Sequence, residues 1–219
     1  VMEAIRILRG ELNGTPLIGF CGAPFTVASY MIEGGPSKDY KMAKSMMYNA
    51  PEVWHAFMEK LTSVLVDYLM AQIRAGAQAV QLFDSWVGAL NPQDYETFAL
   101  PYSKRILDAA HATGVPVIHF GVGATTLLPL MKQAGGDVIG LDWRIPLDKG
   151  WEIIGHDRGV QGNLDPVTLF STQDLLESRV KDILRRADNR PGHIFNVGHG
   201  ILQHTPNENV KAVVEIVHE

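Results

Sequence analysis

The sequence has a single cysteine, Cys21, in 219 residues. That excludes an intrachain disulfide, a redox pair and a zinc centre built from several thiolates. Long apolar runs are missing too: no stretch approaches the ~18 consecutive apolar residues needed to cross a bilayer. The first twenty residues also lack the basic, apolar and small-residue sections of a secretory leader. Positive charge is in short supply, with 19 Lys and Arg against 24 Asp and Glu, a net charge of −5. A nucleic-acid binder would concentrate cations instead. The expectation is a cytoplasmic protein with no membrane or nucleic-acid partner. Any anionic small molecule would need a locally basic pocket.

What is present is ordinary globular material, 46% hydrophobic and 20% charged, with a mean hydropathy of +0.02. Six short runs rich in branched residues read as strands: 16–20, 79–83, 115–120, 138–141, 160–164 and 193–197. They are mostly continuous rather than alternating, as when helices cover both faces of a parallel sheet. Helical patterns lie between them. The clearest runs from Pro51 to about Ala75, with Trp54, Phe57, Met58, Leu61, Val64, Leu65, Tyr68 and Leu69 at three- and four-residue steps. Pro51 suits a first helical position and Gly76 a C-terminal cap. A second pattern starts at Asn91-Pro92, should break at Pro101, and stops at Gly114. The last begins at Thr205-Pro206-Asn207-Glu208, a capping box, followed by an inward stripe of Val210, Val213, Val214 and Val217.

Strand and helix thus alternate with no linker between them, which predicts one α/β domain over residues 1–219. The expected architecture is a (β/α)8 TIM-type barrel, incomplete here, with about six βα units. The chain opens at Val1 inside a helical pattern and is expected to be part of a longer one.

In parallel α/β folds the loops leaving the carboxyl ends of strands build the site. Here those loops carry Tyr30, Asp84-Ser85-Trp86, His119, Asp142-Trp143-Arg144, Asn163-Leu164-Asp165 and Gly198-His199-Gly200. His199 stands between two glycines, where backbone can turn sharply or a ligand come close, so it reads as functional. His119 reads as structural, and Asp84, Asp142 and Asp165 equally well as caps. A dinucleotide site at Gly121-x-Gly123, with Asp142 as the ribose acid, lacks its third glycine because position 126 is Thr. The histidines show no zinc-ligand spacing.

Several motifs, in order and spread over the whole chain, resemble the uroporphyrinogen decarboxylase family: Pro16-Leu-Ile-Gly-Phe-Cys-Gly-Ala-Pro-Phe-Thr, Tyr30-Met-Ile-Glu-Gly-Gly, Gln81-Leu-Phe-Asp-Ser-Trp, Phe98-Ala-Leu-Pro-Tyr, Gly162-Asn-Leu-Asp-Pro and Asn196-Val-Gly-His-Gly-Ile. The resemblance implies a distorted eight-stranded barrel of which the third to eighth strands are present. The family's arginine-rich carboxylate-binding segment and its pyrrole-binding aspartate match nothing here. It further implies a cofactor-free and metal-free decarboxylation of the four acetate side chains of uroporphyrinogen, giving coproporphyrinogen, by a homodimer. By that resemblance Tyr30, Ser85 and His199 line the substrate cleft, with Tyr30 and His199 catalytic. The alternatives are a zinc-dependent corrinoid methyltransferase of the same superfamily, a nicotinamide oxidoreductase, and a barrel that only binds tetrapyrrole. The methyltransferase reading is weakened by glycine at position 121, where that family has a zinc-binding cysteine.

Overall fold

Proline and glycine set the bounds of the longest element. In the computed structural model, which describes residues 1–219, one helix runs from Pro51 in its first turn to Ala75, where Gly76 at φ 115° closes it. Only a residue without Cβ takes up that left-handed conformation at little cost. The chain divides into two compact units, Val1–Asp137 and Val138–Glu219.

The first unit contains α1 (Met2–Glu11), β1 (Ile18–Gly22), α2 (Pro24–Glu33), α3 (Lys41–Asn49), α4 (Pro51–Ala75), β2 (Ala79–Asp84), α5 (Pro92–Phe98), α6 (Leu100–His111), β3 (Val117–Gly121) and α7 (Leu128–Ala134). β1, β2 and β3 are parallel neighbours, with Phe20 opposite Gln81 and Phe83 opposite Phe120. This register puts Phe20, Phe83 and Phe120 on one face, in an edge-to-face row with centroids 5.6 and 5.8 Å apart. Val80, Leu82 and Asp84 face the other way, toward the helices, because side chains alternate along a strand.

The second unit contains β4 (Val138–Gly140), α8 (Leu147–Ile154), β5 (Gly159–Gln161), α9 (Gln173–Ala187), β6 (His193–Ile194) and α10 (Asn207–His218). These strands are parallel as well. A single bridge between Leu164 and Val197 extends the β5–β6 pairing toward its carboxyl end. α9 packs against α8 and α10. Trp151 and Leu176 are fully buried there.

Four details depart from the sequence expectation. β1 is not covered on both faces: Ile18 is 48% and Phe20 59% exposed, because they belong to the face that carries the aromatic row rather than helices. The apolar stripe of α4 is narrower than its periodicity suggested. Val64 is 63% exposed, while Thr62 and Gln72 are buried in their turns. The break between α5 and α6 falls at Ala99, two residues before Pro101, and the proline sits in the first turn of α6 where no amide is needed. Finally, the capping box before α10 does not form. The helix starts one residue later than the box requires, behind Pro206, and the Thr205 hydroxyl donates instead to the carbonyl of Leu202 at 2.7 Å. Of its valine stripe, Val213 is buried and Val214 is 54% exposed.

Candidate active site

In the first unit the carboxyl ends of β1 and β2 converge on one cluster. β1 turns directly into α2, with Pro24 in the first helical turn. Tyr30 is in the last turn of α2, 47% exposed, and Gly34 in the left-handed conformation closes the helix on the Tyr30 carbonyl. The Tyr30 ring packs on Trp86, with centroids 3.6 Å apart and planes at 33°. Tyr40 approaches the same indole at 5.2 Å. Ser85, next to Trp86 in the turn that leaves β2, is half-buried. Tyr30 and Ser85 are therefore brought to one place.

Below them lies Asp84, fully buried. Its Oδ1 accepts a hydrogen bond from the Thr26 hydroxyl at 2.9 Å, and the Thr26 oxygen in turn accepts from the Trp86 amide at 3.2 Å. Burial pushes the Asp84 carboxyl up to about 7, although the Thr26 and Ser103 hydroxyls and the Thr26 amide favour its charged form. Asp84 Oδ2, the Ser103 hydroxyl and the Tyr95 hydroxyl are all buried without a hydrogen-bond partner of ordinary geometry.

The loops after β2 and β3 touch through Gly88, whose amide donates to the Val122 carbonyl at 3.2 Å. A Cβ on Gly88 would lie 2.4 Å from that oxygen. The Gly121-x-Gly123 segment is thus filled by its neighbour rather than open to a pyrophosphate, and only the seven-residue α7 follows it. His119 points toward α7 from the helix-facing side of β3. It is fully buried, and burial lowers its ring to about 4 against a small opposing effect of the Met131 and Gly135 carbonyls. Neither ring nitrogen makes a hydrogen bond of ordinary geometry. That environment fits the structural reading of His119. Burial holds the Cys21 thiol up to about 12, so it is no ready nucleophile.

In the second unit His199 is exposed and lies edge-on to Trp143, with centroids 6.4 Å apart. Its position depends on Gly198, where a Cβ would come within 2.6 Å of the Trp143 amide nitrogen. The Gly198 amide is tied to the Leu164 carbonyl at 2.7 Å. Arg144 stacks on Trp143 at 4.1 Å and pairs with the buried carboxylate of Asp142. Asn163 braces this loop by donating to the carbonyls of Asp142 and Ile145 at 2.9 and 2.7 Å. Asp165 caps the short turn 166–170 through the Val167 amide. Sequence reasoning missed Thr26 and the bracing role of Asn163, although both stand inside motifs quoted above. No three His, Cys, Asp or Glu side chains gather as a metal would need.

The uroporphyrinogen decarboxylase (URO-D) family profile matches residues 1–219. The chain belongs to the uroporphyrinogen decarboxylase family. It is 60% identical to a protein from Carboxydothermus hydrogenoformans named uroporphyrinogen decarboxylase, over 100% of this chain and 63% of that one. It is 54% identical to one of the same name from Sorangium cellulosum, again over 100% and 63%. The chain thus spans about 63% of the length of the curated relatives it matches. Among solved structures, a methyltransferase from Methanosarcina mazei superposes with a TM-score of 0.85 at 22% identity, covering 98% of this chain and 62% of that one. At that identity what is shared is the fold, the α/β class of TIM-barrel type.

Proposed function

We propose that this protein, as part of its full-length enzyme, removes carbon dioxide from the four acetate side chains of uroporphyrinogen to give coproporphyrinogen. The observation that carries this reading is the family match over every residue of the chain, together with relatives of that name at 54–60% identity. The chemistry needs little beyond what a protein can offer. Protonation of a pyrrole carbon turns the ring into an electron sink. The carboxylate carbon–carbon bond then breaks into that sink, carbon dioxide leaves, and a second protonation at the former acetate carbon, with return of the ring proton, leaves a methyl group. Each step exchanges one carbon dioxide for one proton. The protein must bind an apolar macrocycle edged with carboxylates, stabilise positive charge on the ring, and hold proton donors in place.

The residues suit those tasks. The Phe20, Phe83 and Phe120 row is a broad apolar surface whose ring faces and edges can meet a macrocycle. Tyr30, packed on Trp86, and the neighbouring Ser85 offer hydroxyls for a carboxylate or pyrrole. His199 offers ring nitrogens that can donate or accept a hydrogen bond. We assign Tyr30 and His199 catalytic roles and Ser85 a substrate hydrogen bond, with no metal or prosthetic group. The full-length protein is proposed to be a cytoplasmic homodimer. The methyltransferase alternative shares the fold, but glycine stands at position 121 and the single cysteine is buried in β1.

The test is anaerobic turnover of uroporphyrinogen by the full-length protein, with products separated by carboxylate number. Stepwise loss of four carboxylates is expected. His199→Ala and Tyr30→Phe should each lower kcat by about 10-fold or more while retaining cooperative thermal unfolding. Unchanged rates would remove those two residues from the mechanism.

A further inference from the structure

Asp84 stands where an apolar residue is expected. It continues the helix-facing series Val80 and Leu82 of β2 and, like them, is wholly buried. A carboxyl group with no cation beside it is costly to place in a core. Its one hydrogen bond of ordinary geometry comes from the Thr26 hydroxyl to Oδ1. Such a group adds less to stability than an apolar side chain of similar size would, so its value lies in what it orients.

What it orients is a three-member chain. The Trp86 amide donates to Thr26 Oγ1 at 3.2 Å, and the Thr26 hydroxyl donates to Asp84 Oδ1 at 2.9 Å. The carboxyl fixes the direction of the Thr26 proton, which leaves the hydroxyl lone pairs free to receive Trp86. Thr26 is in the first turn of α2, and Trp86 follows Ser85 in the turn leaving β2. The chain therefore ties the turn that carries Ser85 to the helix that carries Tyr30, 58 residues apart in sequence at its Thr26–Asp84 link. The 3.6 Å packing of Tyr30 on Trp86 completes the same connection from the exposed side.

We propose that Thr26 and Asp84 are positioning residues for the candidate site, clamping the Ser85–Trp86 turn against α2 so that the Tyr30 and Ser85 hydroxyls keep a fixed spacing. This deepens the decarboxylase reading and rests on it for the substrate. Neither residue touches substrate in this scheme. Displacement of a catalytic group by about 1 Å can cost up to 100-fold in rate, so loosening the turn should appear in kcat.

The experiment compares Thr26→Val, Thr26→Ser and Asp84→Asn in the full-length protein. Valine keeps the shape of threonine but neither donates nor accepts; serine restores the hydroxyl; asparagine keeps an oxygen that accepts from Thr26. Thr26→Val is expected to lower kcat for uroporphyrinogen by about 10-fold with KM changed less than about twofold. Thr26→Ser and Asp84→Asn should stay within about threefold of wild type. Hydrogen exchange at the Trp86 amide should accelerate in Thr26→Val alone, while the Gly88 amide, held by Val122, stays protected as the internal control. Wild-type kcat in Thr26→Val overturns the proposal, and so does a large loss in Asp84→Asn with Thr26→Val silent. If wild-type protein leaves uroporphyrinogen unchanged, the decarboxylase reading fails separately. The clamp is then judged on Trp86 exchange, and equal protection in Thr26→Val and wild type refutes it.

Discussion

Asp84 and His119 occupy the helix-facing side of adjacent strands, both without solvent exposure, and burial drives their ionisation in opposite directions. A folded carboxyl at about 7 against an ordinary 3.8 holds a proton that the unfolded chain has released. Its stabilising contribution is complete below about pH 4 and lost as pH rises through 7. His119, lowered to about 4, has the reverse sign: its contribution is present above 6.5 and lost as pH falls toward 4. The two slopes oppose each other over much of the acid range, so each masks the other in the wild type. Removing one exposes the other. Relative to Asp84→Asn, which does not titrate, the wild type should lose a few kcal/mol, on the order of 1.4 for each step of one in pH, between pH 4 and pH 7. Denaturant unfolding of both proteins across that range measures the difference. Parallel curves would mean Asp84 titrates normally. In the sequence, a carboxyl after an apolar run says nothing of which hydroxyl meets it from another element.

At the scale of elements, α4 was readable nearly to its last residue, since its signals are local: a proline whose missing amide does no harm at the start and a glycine that tolerates φ 115° at the end. Its buried Gln72 was not readable. From within the apolar stripe this side chain reaches β1 and holds both backbone groups of Phe20, accepting from the amide at 3.0 Å and donating to the carbonyl at 2.8 Å. The close approach is possible because residue 19 is glycine, where a Cβ would meet Gln72 Oε1 at 2.9 Å. Gln72→Leu should destabilise the protein by about 1–3 kcal/mol, as it leaves a backbone donor and acceptor without their partner. Chemical denaturation reads this directly, and a change under about 0.5 kcal/mol would show that water replaces the amide without loss. The α10 start teaches the converse. Thr205 and Glu208 have the spacing of a capping box, yet the helix begins behind Pro206, and the buried Asn209 amide is engaged by the Leu169 carbonyl at 2.9 Å. That tertiary contact joins residues 40 apart, which the local spacing could not show.

For the molecule as a whole, membership of the uroporphyrinogen decarboxylase family rests on matches across the entire chain. The proposed chemistry has a consequence at this scale: the macrocycle is its own electron sink, so no metal is required. Dialysis of the full-length protein against a strong chelator should leave turnover unchanged, and sedimentation should give twice the monomer mass. Activity lost to chelation and restored by zinc would reverse the choice between decarboxylase and methyltransferase. The amino-acid sequence alone determined the α/β class, the alternation of strands and helices and the ends of the long helix, and its resemblance to the family offered Tyr30, Ser85 and His199 as candidates. Those features follow from periodicity, from proline and glycine geometry, and from motifs in order along the chain. Only the tertiary structure decided that Thr26 reaches Asp84, that Gln72 holds Phe20, that His119 lies under α7 and that Gly198 seats His199 beside Trp143. Each joins residues far apart in sequence, and a hydrogen bond or a ring contact depends on distance in space, which no local pattern encodes.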